Sequence, residues 1–452
     1  MDERPLEGID QMIAWFTKGN KPKADWRIGT EHEKFAFYTD DFSPVPYEGD
    51  RGIEALLKGM QTELGWEAIT DEGRIIGLAG PAGAGAISIE PGGQFELSGA
   101  PLETIHQTCR ESNQHLSAVK NVAKEFGMSF LGTGSSPVWS LAETPVMPKS
   151  RYKIMTNYMP KVGTRGHDMM YRTATVQVNL DFSDERDMQR KLQTSLKLQP
   201  LSSALFANSP FTEGKPNGEL SWRSGVWLDV DNQRGGYHPE MLDPNFGFED
   251  YVKWCLDLPM YFIIRDSKYI DMTHMTFRQF MDGKAAKELP GVHATMGDWS
   301  NHVSTVFPDV RLKQFLEMRG ADGSPWRGIC ALPAFWVGLI YDETALDEAE
   351  ALVKDWTAEQ VGLLRNDVPA QGLQAKINGH TMLDIGREVL KISKGGLHRR
   401  ARLNKEGFDE RLFLVPLEEI IAAKRTNAEH LLWMYNGPWQ QDINRVYEEM
   451  AF

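Results

Sequence analysis

Alternating apolar and polar positions form the clearest pattern in this chain, and the most regular example is Thr173–Phe182. A period of two is that of a β-strand, so this segment predicts a strand with one apolar face and one polar face. The polar positions are Thr175, Gln177, Asn179 and Asp181. A solvated face would show the same alternation, but amides in place of Lys and Glu favour a strand that lines a polar cleft.

Two glutamates lie on one face of a second predicted strand, Ile28–Phe37. Glu31 and Glu33 share this face with Phe35 and Phe37, because alternate residues of a strand point the same way. Glutamate is a poor strand former, so propensity does not explain the pair. The segment is either a solvated edge strand or one side of a site where a divalent cation neutralises both carboxylates.

Other strand-like segments also carry acidic residues on polar faces. One of them is interrupted by Pro91-Gly92-Gly93, which indicates a hairpin or a bulged strand. The segments are Ile87–Ser98, with Glu90 and Glu96, and Leu312–Asp322, with Glu317 and Arg319 on one face. Alternation in Ser221–Asp231 predicts a further strand, which carries Arg223.

Apolar residues at helical spacing predict helices over residues 6–18, 53–64, 101–125 and 185–207. Beyond about residue 343 the pattern is mostly helical, and a basic run, Lys391–Arg402, interrupts it. This run is either a solvated loop or a loop that faces phosphates through Lys394 and Arg399. No internal repeat or clear linker divides the chain, so residues 1–452 are predicted to form one integrated domain with a mostly helical C-terminal part.

Composition narrows the class of protein. The 452 residues are 41% hydrophobic and 25% charged, as in an ordinary globular protein with a large core. The net charge is −14 and no Lys/Arg block stands out, so a nucleic-acid surface is not expected. No apolar run is long enough for a membrane span, and the acidic N-terminus lacks a signal-peptide core. These features predict a cytoplasmic protein that binds no membrane.

The three cysteines are Cys109, Cys255 and Cys330. They are far apart and form no Cys-x-x-Cys motif, so neither a zinc site nor a disulfide framework is expected. Their number suits a reducing compartment.

Five glutamates on polar strand faces define the candidate chemistry: Glu31, Glu33, Glu90, Glu96 and Glu317. Without counter-charges such a group would be costly to bury. Two or three Mg²⁺ ions would neutralise it and leave room for substrate phosphates, which indicates phosphoryl chemistry on ATP. The candidate anion clamps are Arg223, Arg234 and Arg319.

Five motifs follow one another in a specific order: Gly29–Glu33, Ile89–Glu96, Met147–Tyr152, Thr173–Asp181 and Phe315–Asp322. No single motif is decisive, but the ordered set resembles the plant- and proteobacterial-type glutamate–cysteine ligases. The resemblance extends from about Ile9 to Tyr435-Asn436-Gly437. Plant members are described as regulated through disulfides, but a two-disulfide scheme would need four cysteines.

The resemblance implies an α+β fold with a strongly curved antiparallel sheet of the glutamine-synthetase-like type and helices packed outside it. It also implies an ATP- and Mg²⁺-dependent ligase. Such an enzyme joins the γ-carboxylate of L-glutamate to the amine of L-cysteine through a γ-glutamyl phosphate. The products are γ-glutamylcysteine, ADP and phosphate, in the first step of glutathione biosynthesis.

By the same likeness, the five glutamates are metal ligands, and Glu317 also belongs to the catalytic group. Arg319 would face the transferred phosphoryl group of ATP, while Lys394 and Arg399 are further ATP-binding candidates. The substrate-side candidates are Lys149, Arg151, Arg172, Gln177, Asn179 and Arg223. Among these, Arg223 would hold the α-carboxylate of glutamate.

Three other functions compete with this interpretation. A related ATP-dependent carboxylate–amine ligase for another amine would share the sheet and the metals. A glycosidase is less favoured, because its chemistry needs two carboxylates and neither ATP nor Mg²⁺. A purely binding or structural role is least favoured, since the clustered acids would be costly without ions. The sequence leaves monomer and homodimer open.

Overall fold

The computed structural model describes residues 2–452, which form a mixed α and β structure. The strands are β1 (Ile28–Tyr38), β2 (Glu67–Asp71), β3 (Arg74–Ala79), β4 (Ala86–Ile89), β5 (Gln94–Ser98), β6 (Met128–Leu131), β7 (Thr175–Leu180), β8 (Phe211–Thr212), β9 (Lys215–Pro216), β10 (Gly235–Gly236), β11 (Phe262–Arg265), β12 (Lys268–Asp271), β13 (Phe307–Pro308), β14 (Val310–Leu312), β15 (Leu316–Asp322), β16 (Lys376–Ile377) and β17 (His380–Thr381). The helices are α1 (Ile9–Thr17), α2 (Ile53–Leu64), α3 (Ile105–Glu125), α4 (Ser150–Tyr158), α5 (Gly166–Arg172), α6 (Glu185–Leu205), α7 (Trp222–Val226), α8 (Phe248–Leu256), α9 (Phe277–Met281), α10 (Met296–Ser304), α11 (Trp326–Ile340), α12 (Glu343–Val353), α13 (Ala358–Gln371), α14 (Met382–Arg400), α15 (Val415–Ala423), α16 (Asn427–Asn436) and α17 (Arg445–Glu449).

Nine strands form one large antiparallel sheet in the order β14-β15-β7-β1-β5-β4-β3-β2, and β6 pairs with the outer part of β1. This sheet confirms the mixed class predicted from the sequence and the predicted strands at Ile28 and Thr173. The strand β1 lies between β5 and β7, although about 75 residues separate the ends of those two strands. Segments far apart in the chain therefore meet at the centre of the sheet.

The register of the central strands brings the polar positions onto one face. The directly paired residues are Glu31 with Gln177, Glu33 with Glu96, and Asn179 with Glu317. Opposed residues in an antiparallel pair project from the same face of a sheet. Four strands therefore contribute to a single polar surface.

The opposite face of the sheet is buried and covered by helices. Val176, Val178 and Leu180 of β7 are fully buried in the main core. Helix α11 packs against β7, and α6 packs against β15. The main core extends from Leu6 to Leu417, so it joins the sheet to the helices that predominate after Asp342.

Two segments have a different secondary structure from the predicted one. Ser221–Asp231 was expected to be a strand, but Trp222–Val226 is the short helix α7. The hydroxyl of Ser221 accepts a hydrogen bond from the backbone N–H of Ser224, which caps this helix. A helix of five residues is too short to show a helical period, so the alternation was misleading.

The basic run Lys391–Arg402 is not a loop, because helix α14 continues through it to Arg400. Gly395 and Gly396 both lie within this helix, and Gly396 allows it to pack closely against α11. A Cβ at Gly396 would lie 1.9 Å from the carbonyl oxygen of Gly338 in α11, so only glycine permits this contact. Lys391, Lys394 and Arg399 lie on the outer side of the helix, while Leu390 and Leu397 are buried.

Within residues 2–452, no single helix is long and apolar enough to cross a membrane. The helices Trp326–Ile340 and Glu343–Val353 would be long and apolar enough only if taken together, and they meet at an angle of 88°.

Candidate active site

A cavity of about 360 Å³, which we call the cleft, opens over the polar face of the sheet. Its lining includes eight of the residues predicted from the sequence: Glu31, Glu33, Glu90, Glu96, Arg151, Gln177, Arg223 and Arg319. Three more lie directly behind this lining and bond to it: Lys149, Asn179 and Glu317. Most of the predicted residues are thus brought together.

Four glutamates form the acidic wall of the cleft: Glu31, Glu33, Glu90 and Glu96. The side-chain amide of Asn179 donates to Glu31 Oε1 at 2.7 Å, which fixes one end of the wall. The backbone N–H of Thr175 donates to Glu33 Oε2 at 3.0 Å. The hydroxyl of Tyr152 donates to Glu90 Oε1 at 3.1 Å.

Burial and mutual repulsion raise pKa values along this wall. Burial is the largest cause for Glu96, and Glu90 and Glu31 add to it, so the pKa of Glu96 rises to about 8. Burial and then the charges of Glu90 and Glu96 raise the pKa of Glu33 well above its usual range. Glu33 and Glu96 therefore favour either a proton or a nearby cation.

The donor set of the acidic wall fits some metal ions better than others. Among the residues that the structure describes, no three His, Cys, Asp or Glu side chains are arranged to hold one ion together. Mg²⁺ does not require such a cage, because it usually takes one or two carboxylates and completes its shell with water and phosphate oxygens. The neighbouring pairs Glu33 with Glu96 and Glu33 with Glu90 offer hard oxygen donors of that kind.

The opposite side of the cleft is basic and is organised by Glu317, which is completely buried. Arg311 binds this carboxylate through two nitrogens, with Nη2 at 2.7 Å from Oε1, and Lys313 Nζ lies 3.1 Å from Oε2. Arg319 donates to the same carboxylate and to Gln177 Oε1. Burial acts to raise the pKa of Glu317, but these three cations hold it well below its usual range.

Arg311 and Lys313 line the cleft and were missed by the sequence-based prediction. The signal was present, since both flank Leu312 in an alternating segment next to Glu317. The hairpin of β14 and β15 carries Arg311, Lys313 and Arg319, and Glu317 binds all three. These cations form a basic wall that faces the acidic wall. Because these cations bind both oxygens of Glu317, this carboxylate holds the basic wall in place.

Arg223 lies between the two walls. It is buried on helix α7, and its Nη2 donates to the carbonyl oxygen of Arg319 at 2.9 Å. That carbonyl belongs to a β-bulge, because the β15–β7 register shifts between Met318 and Ala321. Within residues 2–452, no carboxylate lies within salt-bridge distance of the Arg223 guanidinium, so this charge is available to a ligand.

The remaining substrate-side candidates differ in position. Lys149 donates to the Ser88 hydroxyl at 2.8 Å, and burial lowers the pKa of Lys149 to about 8. Arg151 lines the cleft 4.0 Å from Glu90. Arg172 does not line the cleft, because its guanidinium pairs with Asp168 at 3.0 Å.

Three basic residues proposed from the sequence lie outside the cleft. Arg234 is fully buried and pairs with Asp231 at 2.6 Å. Its charge is therefore neutralised within the core and is not available to an anionic substrate. Lys394 pairs with Glu418. Arg399 pairs with Asp342 on the outer side of α14. The structure therefore does not bring Lys394 and Arg399 to the other site residues.

Facing acidic and basic walls over an antiparallel sheet are suited to a protein that binds cations together with anionic substrates. The family described as Glutamate-cysteine ligase family 2 (GCS2) matches residues 27–449. The chain belongs to this family, which confirms the resemblance seen in the sequence.

Plant relatives are similar over almost the whole chain. A chloroplastic glutamate–cysteine ligase A from Oryza sativa subsp. indica is 52% identical over 443 residues, which cover 98% of this chain and 88% of the relative. A chloroplastic glutamate–cysteine ligase from Arabidopsis thaliana is 53% identical and is covered to 83%. Both relatives are chloroplastic proteins, which contradicts the cytoplasmic location predicted from the sequence.

One solved structure supports the fold. A glutamate–cysteine ligase from Francisella tularensis, solved in complex with AMP, aligns with a TM-score of 0.55. It covers 94% of this chain and 89% of its own, at 13% sequence identity. At this identity the likeness concerns the fold alone.

Proposed function

We propose that this protein is an ATP-dependent ligase that joins the γ-carboxylate of L-glutamate to the amine of L-cysteine, the first step of glutathione biosynthesis. Membership of the glutamate–cysteine ligase family over residues 27–449 carries this proposal. The cleft suits the substrates, because it holds separate basic and acidic walls for anionic groups and for cations.

The reaction has two steps. An oxygen of the glutamate γ-carboxylate attacks the γ-phosphorus of ATP, the bond to the bridging oxygen breaks, and ADP leaves. The amine of cysteine then attacks the carbonyl carbon of the acyl phosphate. Phosphate departs with the bonding electrons, and the amine loses a proton as the amide forms. The site must therefore bind two amino acids and neutralise the transferred phosphoryl group.

The acidic wall would hold two or three Mg²⁺ ions, with Glu31, Glu33, Glu90 and Glu96 as the protein ligands. When bound, such ions would neutralise the negative charge that develops as the phosphoryl group is transferred. The raised pKa values of Glu33 and Glu96 support this role, because crowded buried carboxylates favour a cation. Gln177 and Asn179 would orient the wall from β7. Glu317 would position the cations of the basic wall.

The basic groups would take the anionic parts of the substrates. Arg223 would bind the α-carboxylate of glutamate, because its guanidinium is buried and available. Arg319 would meet the transferred phosphoryl group, with Lys313 and Arg311 beside it. Lys149 and Arg151 lie at the far end of the acidic wall, which suits the second amino acid. Arg172 does not line the cleft, so it would affect substrate binding only by positioning neighbouring residues.

Two architectural proposals accompany this function. The large antiparallel sheet would be strongly curved and of the glutamine-synthetase-like type, with helices outside it. The chain would form one integrated catalytic domain, since a single core includes residues from Leu6 to Leu417.

The deciding experiment measures ADP release from the purified protein with Mg²⁺ and ATP. We expect release to require glutamate and cysteine together and to match the γ-glutamylcysteine formed. Omission of each amino acid in turn is the control. A panel of other amines tests the related-ligase alternative, and a preferred amine other than cysteine would replace the proposed function with that one.

A further inference from the structure

The start of helix α4 carries three polar side chains to the far end of the acidic wall: Lys149, Arg151 and Tyr152. The hydroxyl of Tyr152 donates to Glu90 Oε1 at 3.1 Å, and Lys149 Nζ donates to Ser88 Oγ at 2.8 Å. The Tyr152 ring is close to both cations, with Lys149 Nζ at 5.3 Å and Arg151 Cζ at 5.1 Å from its centroid. The placement of this one turn therefore sets all three groups together.

The N-terminus of α4 is capped by a residue from a distant part of the chain. The helix begins at Ser150, and the preceding residue, Lys149, has no side-chain acceptor with which to cap it. Asp71 supplies the acceptors, although it lies 79 residues before Ser150. Its Oδ2 accepts from the backbone N–H of Ser150 at 2.6 Å, and its Oδ1 accepts from the Ser150 hydroxyl at 3.0 Å. A carboxylate at this end of a helix also interacts favourably with the helix dipole.

A tight hairpin turn holds Asp71 in place. Asp71 is the last residue of β2 and pairs with Arg74, the first residue of β3. The two residues between them, Glu72 and Gly73, have φ values of 49° and 79°. Positive φ at both central positions is what a two-residue type I′ hairpin turn requires. The other four residues of β2 are exposed, and only Asp71 is half-buried. This edge strand therefore contacts α4 through a residue whose position the turn fixes.

We propose that Asp71 is a positioning residue for the end of the cleft that takes the second amino acid. Asp71 does not line the cleft, so it acts on the substrate only through the first turn of α4 and the two cations there, Lys149 and Arg151. This inference rests on the proposed function, in which those cations face the second amino acid. Loss of Asp71 should therefore weaken the binding of cysteine more than that of glutamate, which Arg223 would bind, or of ATP.

Steady-state kinetics with each substrate varied in turn tests this role. Asp71→Ala removes both hydrogen bonds to Ser150, and we expect the KM for cysteine to rise about three- to thirtyfold, as for the loss of a helix cap. The KM values for glutamate and ATP should change less than about twofold. Asp71→Asn keeps an acceptor oxygen, and asparagine is a good cap, so this variant should recover most of the affinity for cysteine.

Ser150→Ala removes only the hydroxyl bond to Asp71, so the KM for cysteine should rise less than in Asp71→Ala. In the Asp71→Ala background the same substitution should have no further effect, because its partner is already absent. Asp184→Ala is the matched control, because Asp184 caps helix α6 by accepting from the N–H of Asp187 at 2.9 Å and does not line the cleft. It should lower the Tm by a similar amount and leave all three KM values unchanged.

The outcomes separate two failures. If ADP release by the wild type does not depend on glutamate and cysteine together, the proposed function is wrong and this inference is lost with it. If it does depend on them, but Asp71→Ala changes the three KM values equally or lowers only the Tm, then Asp71 merely stabilises the fold and this proposal is overturned. If Asp71→Ala does not fold, Ser150→Ala decides alone, and an unchanged KM for cysteine overturns the proposal.

Discussion

Ser221 donates its hydroxyl hydrogen to Asp322 Oδ1 at 2.8 Å, which ties the start of the helix carrying Arg223 to the end of strand β15. Asp322 is completely buried, and its Oδ2 accepts from the hydroxyl of Ser209 at 2.7 Å. The Ser209 oxygen in turn accepts from the backbone N–H of Arg223 at 3.2 Å. One carboxylate therefore positions the backbone of a predicted substrate-binding residue from two sides.

Loss of the Ser221 hydroxyl should misplace Arg223. We expect Ser221→Ala to raise the glutamate KM by about three- to tenfold with little change in the KM for ATP, as for the loss of one or two hydrogen bonds. Steady-state kinetics with each substrate varied measures this. Thr276→Ala is the control, because it removes the cap of the remote helix α9 at a similar cost of about 0.5–2 kcal/mol. Equal KM values in both variants would show that Ser221 serves stability alone.

Arg223 itself should have a larger and selective effect. Arg223→Ala is expected to raise the glutamate KM on the order of a hundredfold or more, since breaking a buried charged pair costs roughly 2–5 kcal/mol. The KM for ATP should change far less, because Arg319 and Lys313 face the phosphate side. Arg223→Lys should keep only part of the affinity, because lysine lacks the guanidinium fork. An equal loss for both substrates would remove Arg223 from the glutamate site.

The acidic wall makes a prediction about activity. Glu96→Gln should reduce turnover to near zero at saturating Mg²⁺, because one ligand charge is removed. Ser43→Ala, in an exposed turn far from the cleft, is a suitable control. Near wild-type turnover in Glu96→Gln would contradict the proposed metal role.

The same residue makes a separate prediction about stability without metal. Burial raises the pKa of folded Glu96 to about 8, from an ordinary value of 4.5, so the folded protein binds this proton more tightly than the unfolded chain. The resulting stabilisation is complete below about pH 4.5 and is lost as the pH rises through about 8. In EDTA, the Tm of the wild type should therefore fall between pH 6 and 8.5 more steeply than that of Glu96→Gln. Parallel curves would show that Glu96 ionises normally.

Variants of Lys394 and Arg399 test whether helix α14 contributes to ATP binding. Both pair with acids on the outer side of α14, so Lys394→Ala and Arg399→Ala should leave the KM for ATP within about twofold of the wild type. Lys313→Ala, in contrast, should raise that KM about tenfold, as expected when a hydrogen bond from a charged group is removed at a buried site. A loss of ATP affinity in the α14 variants would return those residues to the nucleotide site.

The sequence by itself determined which side chains share a face within one segment. Side chains of a strand alternate, so the order of residues placed Glu31 with Glu33 before any neighbour was known. The same local rule identified Gln177 and Asn179 as members of a polar surface. The ordered motifs then indicated the family, which the match over residues 27–449 confirms.

The tertiary structure decided which segments meet, because pairing between strands depends on contacts that local periodicity does not record. The register placed Glu31 opposite Gln177, 146 residues away. The hairpin of β14 and β15 brought Arg311 and Lys313 to Glu317. A capped helix of five residues carried Arg223, and a close approach of Gly396 to Gly338 kept α14 continuous. In each case the deciding interaction joins residues that are distant in sequence or lies in an element too short to show a period.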